Sequence, residues 1–230
     1  MYERDEARFL TPGGHPVTMT YRRDTNDWNT LNASLDGDEY HLHDGLTGYA
    51  LDVGGYLGSV GIALALDNPG LAVTIIEPVP DNGDLIEVNI ERNGLDERVV
   101  LIRGAVGNGG ESVDVWYGYR GTETAEHHAF VGNSSLAYDH GGSLDHQTVT
   151  YRALPLSGFT PLDFLKIDCE GGEWAFLDSP AVADVAVIVG EAHCVRGHKG
   201  GDIVGLLAAT HDVTIIGDPE STCEFRALRR

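Results

Sequence analysis

The sequence is poor in basic side chains. Lysine occurs only at Lys166 and Lys199, and 15 lysine and arginine residues stand against 36 aspartates and glutamates, for a formal net charge of −21 at pH 7. A surface of this charge repels nucleic-acid phosphate and anionic membrane. We therefore expect neither nucleic acid nor membrane as a partner, and a small molecule remains the expected ligand.

Cysteine and long apolar runs are also scarce. Cys169, Cys194 and Cys223 form no C-x-x-C pair, so neither a disulfide framework nor a zinc knuckle is predicted. No apolar run approaches the roughly 18 residues needed to span a bilayer. Residues 1–10 are charged and lack the apolar core of a secretory signal. These features predict a soluble, cytoplasmic protein.

The length of 230 residues suits one domain with modest additions. We expect a single domain that comprises an N-terminal cap, residues 1–45, and a core, residues 46–230. The oligomeric state stays open, with a homodimer as one option.

Short β-branched apolar runs alternate with helix-like segments along the core. The runs lie at residues 49–53, 72–77, 99–103, 162–168 and 185–191, and further strands are predicted at 213–216 and 223–228. Helices are predicted over about 59–67, around 85–90, over 174–177 and over about 202–209. This alternation is typical of a doubly wound α/β fold, in which helices cover both faces of a mostly parallel sheet.

One insertion interrupts the alternation. Residues 113–119 and 148–153 are predicted to pair as an added hairpin around a Gly-, Ser- and His-rich stretch, residues 120–147. Such a stretch is long for a compact connection, so we interpret it as a lid or a binding loop.

A glycine-rich turn follows the first predicted core strand. It belongs to the stretch LDVGGYLG, residues 51–58, and it opens a helix at the place where doubly wound sheets bind their ligands. Glycines let the backbone approach a ligand closely. Glu77, at the end of the second core strand, has about the separation expected of an acceptor for ribose hydroxyls. Turn and acid together predict a nucleoside site.

The spacing of the glycines narrows the choice of nucleoside. No frame through Gly54, Gly55, Gly58 and Gly61 gives G-x-G-x-x-G, which disfavours nicotinamide and flavin dinucleotides. S-adenosylmethionine has no pyrophosphate, and Asp52 suits its cationic amino group or bridging waters. An NAD-type oxidoreductase on a related fold and a non-catalytic nucleoside-binding module remain the alternatives.

Five stretches in order carry a resemblance to a known family. They are LDVGGYLG at 51–58, IEPVPDN at 76–82, NIERN at 89–93, GAVG at 104–107 and DFLKIDCEGGE at 163–173. In this combination the sequence resembles the FkbM-type methyltransferases, in which many relatives have Ala-Asn where this chain has Gly55-Tyr56.

The resemblance implies a Rossmann-like class I methyltransferase fold with an antiparallel last strand. It implies that a methyl group is transferred from S-adenosylmethionine, usually to an oxygen, and the leading hypothesis is O-methylation of a hydroxyl on a sugar or a small-molecule natural product. Residues 104–107 would lie near the adenine. The expected cofactor-binding residues are Asp52, Gly54, Gly55, Tyr56, Leu57, Gly58, Glu77, Pro78, Ala105, Val106 and Asp168.

Candidate catalytic residues follow the fourth and fifth core strands. Methyl transfer from a sulfonium is an in-line displacement, and an alcohol acceptor benefits from a base that receives its proton. Asp168, Glu170, Glu191 and His193 are placed for this, with His193 a candidate base because its intrinsic pKa lies near neutrality. Asp168, Glu191 and His193 could instead bind Mg²⁺, but no spacing demands it and we expect no metal.

Overall fold

The computed structural model describes residues 3–42, 45–119, 130–132, 145–195 and 197–230. Within these ranges the chain forms twelve strands and five α-helices. In chain order they are β1 (Arg4–Leu10), β2 (Pro16–Arg22), α1 (Asp27–Leu31), β3 (Gly48–Val53), α2 (Ser59–Asp67), β4 (Leu71–Glu77), α3 (Pro80–Arg92), β5 (Val99–Arg103), β6 (Ser112–Tyr119), β7 (Phe130–Gly132), β8 (Asp145–Arg152), β9 (Leu162–Ile167), α4 (Glu173–Leu177), β10 (Val185–Ala192), α5 (Ile203–Leu207), β11 (His211–Ile216) and β12 (Cys223–Arg229).

A seven-stranded sheet forms the centre of the fold, in the order β11-β12-β10-β9-β3-β4-β5. The five strands from β10 to β5 are parallel to one another, whereas β12 runs antiparallel to both β10 and β11. The predicted α/β class with an antiparallel last strand is therefore confirmed. That last strand does not form the sheet's outer edge, because β11 pairs with its far side.

The core strands and most helices match their predicted positions. Helix α3 starts with Pro80 in its first turn, where a missing N–H costs nothing, and Gly94 follows its end at φ +65°. The helix predicted over about 202–209 is shorter, because Gly200–Asp202 forms a 3₁₀ turn and only Ile203–Leu207 is α-helical. Gly201 packs against Pro219, where a Cβ would come within 2.8 Å of the proline ring.

The predicted added hairpin is present and carries a third strand. Strand β6 pairs antiparallel with β8, from Ser112 opposite Arg152 to Tyr119 opposite Asp145, and β7 pairs with the other side of β6. Most of the predicted loop lies outside the described residues. This applies to His127, His128, Ser134, Ser135 and His140.

Two apolar clusters flank the central sheet. One packs α2 and α3 against it together with the N-terminal hairpin β1-β2, through side chains such as Met19, Leu31 and Ile62. The other packs α4 and α5 against the opposite face around Phe176 and Phe225. No helix within the described ranges has the length and apolar character of a membrane span.

Asn89 joins the N-terminal hairpin to the core. Its fully buried side chain accepts a hydrogen bond from the Thr20 N–H at 2.7 Å and donates to the carbonyls of Thr20 and Leu57 at 3.2 and 3.0 Å. Both main-chain groups of Thr20 are therefore satisfied by one side chain of α3, as buried polar groups require.

Replacing Asn89 by alanine is expected to lower the free energy of unfolding by about 2–4 kcal/mol, because buried main-chain groups lose their partners. Chemical denaturation measures the change. Asn29 is exposed and serves as the matched control, with an expected Asn29→Ala effect within about 0.5 kcal/mol. Equal effects of the two substitutions would show that Asn89 does not hold the hairpin.

Candidate functional site

The candidate site lies at one edge of the central sheet. The carboxyl ends of β3, β4, β5, β9 and β10 meet there because these strands are parallel, and the predicted site residues lie in these strand ends or in the segments that follow them.

The glycine-rich turn after β3 packs directly on the end of β9. Gly54 has φ +75°, and a Cβ at this position would lie 1.7 Å from the Asp168 carbonyl oxygen. A Cβ on Gly55 would lie 2.2 Å from Ile75 Cγ2. Gly58, at φ +82°, caps the start of α2, while the Leu57 side chain is buried in the core. The close approach of β9 therefore explains why glycine stands at position 54.

Asp52 is fully buried below this turn. One carboxylate oxygen accepts a hydrogen bond from the Gly61 N–H of α2 at 2.9 Å, and the other lies 3.4 Å from Lys166 Nζ. Its predicted direct contact with the cofactor's amino group stays a prediction.

Lys166 ties the ends of β3 and β9 together. Its ammonium donates to the Gly54 carbonyl at 2.7 Å and the Val53 carbonyl at 3.3 Å, and it lies 5.2 Å from the centre of the Tyr40 ring. Burial opposes its charge, but the carboxylates of Asp52 and Asp168 outweigh burial and raise the pKa of Lys166. The amine is therefore a buried cation that fixes the turn.

Glu77 is the last residue of β4, and its carboxylate is buried. Oε1 accepts hydrogen bonds from the Val79 N–H at 2.9 Å and the Asn82 amide at 3.1 Å, and Oε2 accepts one from the Tyr56 N–H at 2.8 Å. Burial raises the pKa of Glu77, and these hydrogen bonds oppose the rise. The carboxylate is thereby held in one orientation beside the turn.

Tyr56 reaches away from the sheet, towards the N-terminal segment. Its hydroxyl donates to Asp27 Oδ1 at 2.7 Å, and the Arg22 guanidinium lies 5.6 Å from its ring centre. The backbone at Tyr56 is left-handed, with φ +51°, which is unusual for a residue other than glycine.

Ala105 and Val106 follow β5 and are each only 3% exposed. Val106 belongs to the same apolar cluster as Val53, Ile76 and Cys169, which line the ends of the neighbouring strands. This places the pair on the β5 side of the turn.

The four predicted catalytic residues are brought together by the ends of β9 and β10. His193 Nε2 lies 3.4 Å from carboxylate oxygens of both Glu170 and Glu191, and 3.8 Å from one of Asp168. Glu170 has φ +56°, and left-handed backbone at such a residue is concentrated at functional sites. We call these four residues the acidic cluster.

Glu173 and Tyr40 hold the acidic cluster in place. Glu173 is fully buried and accepts hydrogen bonds from the His193 N–H at 2.8 Å and the Gly171 N–H at 2.9 Å, with His193 Nδ1 at 3.2 Å. The Tyr40 hydroxyl donates to Asp168 at 2.9 Å. Glu173 ends the stretch DFLKIDCEGGE, but an acid at this position is also favourable simply as the first residue of a helix. Nothing in the sequence around Tyr40 indicates its contact with Asp168.

Charge separates the roles of His193 and Glu191. Burial alone would lower the pKa of His193, but Glu173, Glu170 and Asp168 outweigh it and raise the pKa to about 10. Burial and the Asp168 charge raise the pKa of Glu191 to about 7, against the opposing effect of His193. With these pKa values, His193 carries a proton at neutral pH and Glu191 titrates near neutrality.

Asp168, Glu170 and His193 also bring three potential metal-ligand atoms within 4.8 Å of one another. A metal would have to displace the proton from His193. The absence of a metal requirement stays a prediction.

A seven-stranded, mostly parallel sheet with one antiparallel strand, β12, and a glycine-rich turn after its first core strand is typical of the class I methyltransferase architecture. The sequence profile described as the Methyltransferase FkbM domain matches residues 52–213. That match covers well over half of the chain, so the chain belongs to the FkbM methyltransferase family. The cofactor of this family is S-adenosylmethionine.

The chain aligns with solved methyltransferase structures. The precorrin-6Y C5,15-methyltransferase of Geobacter metallireducens GS-15 aligns with a TM-score of 0.50 and 14% identity, covering 91% of this chain and 92% of that one. The O-methyltransferase of Bacillus cereus, solved with S-adenosylhomocysteine, aligns with a TM-score of 0.42 and 19% identity over 79% and 74% of the two chains. The sequence matches no curated protein.

Gly54→Ala is expected to displace the turn from β9 and to weaken S-adenosylhomocysteine binding at least about tenfold, a loss of 1.4 kcal/mol, because the new methyl group would overlap the Asp168 carbonyl. Calorimetric titration measures the affinity. Gly94 is the matched control, since it has φ +65° and open space around its Cβ position. Gly94→Ala should cost about 1 kcal/mol of stability and leave the affinity unchanged. Unaltered affinity in Gly54→Ala would contradict the close packing of the turn.

Proposed function

We propose that this methyltransferase transfers the methyl group of S-adenosylmethionine to a hydroxyl oxygen of a small molecule, such as a sugar or another natural product. The observation that carries the proposal is the contact between the glycine-rich turn and Asp168. It sets a group of titratable side chains, suited to accept a hydroxyl proton, directly beside the segment that would hold the cofactor.

The residues around the turn fit the cofactor. Glu77 Oε2 accepts one hydrogen bond, so a lone pair remains for a ribose hydroxyl. Gly54 and Gly55 let the turn pack closely on Asp168 and Ile75, and the methionine end would pass along the main chain of the turn. Pro78, Ala105 and Val106 would contact the adenine, and Asp168 would border the methionine end. Asp52 would act by fixing the turn and the start of α2 through Gly61.

The acidic cluster supplies the proton chemistry. When bound, S-adenosylmethionine supplies a methyl group activated by the positively charged sulfur. The Glu191 carboxylate would receive the proton that the acceptor hydroxyl loses on methylation. The imidazolium of His193 partly offsets the charges of Asp168 and Glu170 and lowers the pKa of Glu191, which stays at about 7, so part of Glu191 is ionised at neutral pH. Glu191 is therefore the base. His193 positions the surrounding carboxylates and partly neutralises their charge.

A proton acceptor with a pKa near 7 favours oxygen as the methylated atom. A hydroxyl oxygen becomes a strong nucleophile only as it loses its proton, and a base is most effective when its pKa lies near the working pH. The net charge of −21 favours a neutral or cationic small acceptor over a polyanion.

Binding tests the cofactor site. S-adenosylmethionine and S-adenosylhomocysteine should bind with micromolar affinity in calorimetric titrations, and NAD should not bind. Glu77→Ala should weaken binding at least about tenfold, because bonds to a charged acceptor are lost. Glu91→Ala, on the exposed face of α3, is the control and should bind as the wild type does. Binding of NAD alone would favour the oxidoreductase alternative.

The pH dependence of methyl transfer tests the base. With an acceptor found by screening sugars and phenols, kcat/KM should rise with pH through about 7, because Glu191 must be deprotonated to receive the proton. Glu191→Gln should lose activity by roughly 10²- to 10⁴-fold and lose this pH step, while keeping the wild-type affinity for S-adenosylhomocysteine. If kcat/KM of Glu191→Gln still rose with pH through about 7, a group other than Glu191 would be the base. Adding EDTA shows whether a metal is required.

A further inference from the structure

The N-terminal segment contains a buried ion pair aimed at the cofactor turn. Arg22 and Asp27 are 4% and 0% exposed, and the guanidinium donates through Nε and Nη2 to both carboxylate oxygens at 2.8 and 2.9 Å. The Arg22 N–H donates to the same carboxylate at 2.8 Å. Asp27 is thereby immobilised, and burial of the pair makes any additional bond to it strong.

Tyr56 connects this ion pair to Glu77. At one end its hydroxyl donates to Asp27, and at the other its N–H donates to Glu77 Oε2. The left-handed backbone of Tyr56 is disfavoured for a side chain with a Cβ, so it persists only where the surroundings hold it. Here the hydrogen bonds to Glu77 and Asp27 hold the main chain and the hydroxyl of Tyr56.

A second tie runs parallel to the first. Asn89 bonds to Thr20 and to the carbonyl of Leu57, the residue after Tyr56. The N-terminal segment therefore restrains two consecutive residues of the turn, Tyr56 and Leu57. It thereby supports the turn that would hold the cofactor.

We propose that Tyr56 is a positioning residue through which the Arg22–Asp27 pair sets the orientation of the Glu77 carboxylate towards the ribose of the cofactor. The proposal rests on the placement of Glu77 against the ribose given above. Its consequence is that cofactor binding and the order of the N-terminal segment are linked, although no residue of that segment needs to touch the cofactor.

Tyr56→Phe tests the link, because it keeps the ring and removes only the hydroxyl. Titration with S-adenosylhomocysteine should show binding weakened about tenfold, as expected for one lost bond to a charged group. In turnover, KM for S-adenosylmethionine should rise by a similar factor with kcat within about twofold, since the acidic cluster is untouched. Tyr21→Phe is the matched control: this hydroxyl lies 3.5 Å from Asp5 on the outer side of the same hairpin, and its loss should change neither constant.

Hydrogen exchange distinguishes positioning from simple stabilisation. In the wild type, S-adenosylhomocysteine should slow amide exchange in peptides that cover residues 22–31, and in Tyr56→Phe this ligand-dependent protection should be lost at matched ligand saturation. A variant with a lower melting temperature but unchanged affinity and unchanged protection would overturn the proposal. Failure of the wild type to bind S-adenosylhomocysteine at all would instead count against the proposed cofactor site.

Discussion

The buried ammonium of Lys166 is the interaction on which the site depends. It joins the ends of two adjacent parallel strands by bonding to the main chain of the turn after β3 and by facing Asp52, whose other oxygen holds the start of α2. It also lies under Tyr40, which bonds to Asp168. A buried charge without partners is costly, so the turn's carbonyls and the Asp52 carboxylate stabilise the ammonium, and the ammonium in turn holds the turn against β9. Lys166 thus helps to hold both the glycine-rich turn and the acidic cluster.

Electrostatics then divide the acidic cluster into separate roles. Glu173 holds His193 from the buried side, and the surrounding carboxylates keep the imidazole protonated. The protonated ring in turn limits the pKa of Glu191 to about 7. With intrinsic pKa values the histidine would be the group that titrates near neutrality. Here both pKa values are raised and Glu191 takes that place, because one imidazole is shared among several carboxylates in a partly buried site.

Much of the fold follows from local patterns in the sequence. The β-branched runs and the glycine-rich turn specify the parallel strands and the α2 start, because strand propensity and backbone freedom act over a few residues. The β1-β2 hairpin was expected only as an undefined cap. Its pairing with the core runs through Asn89, and Tyr40 meets Asp168 across 128 positions in the chain. Such contacts have no periodicity, so no window of sequence reveals them.

By itself, the sequence determined the α/β class, the family, the turn with Glu77, and the gathering of Asp168, Glu170, Glu191 and His193, because the ends of parallel strands necessarily meet at one edge. Only the tertiary structure decided the partners and the protonation of those groups. It buried Asp52 against Lys166, directed Tyr56 to Asp27, and assigned the proton to His193. The reason is physical: residue identity fixes which charges exist, whereas burial and distance, which arise only on folding, fix their protonation and their partners.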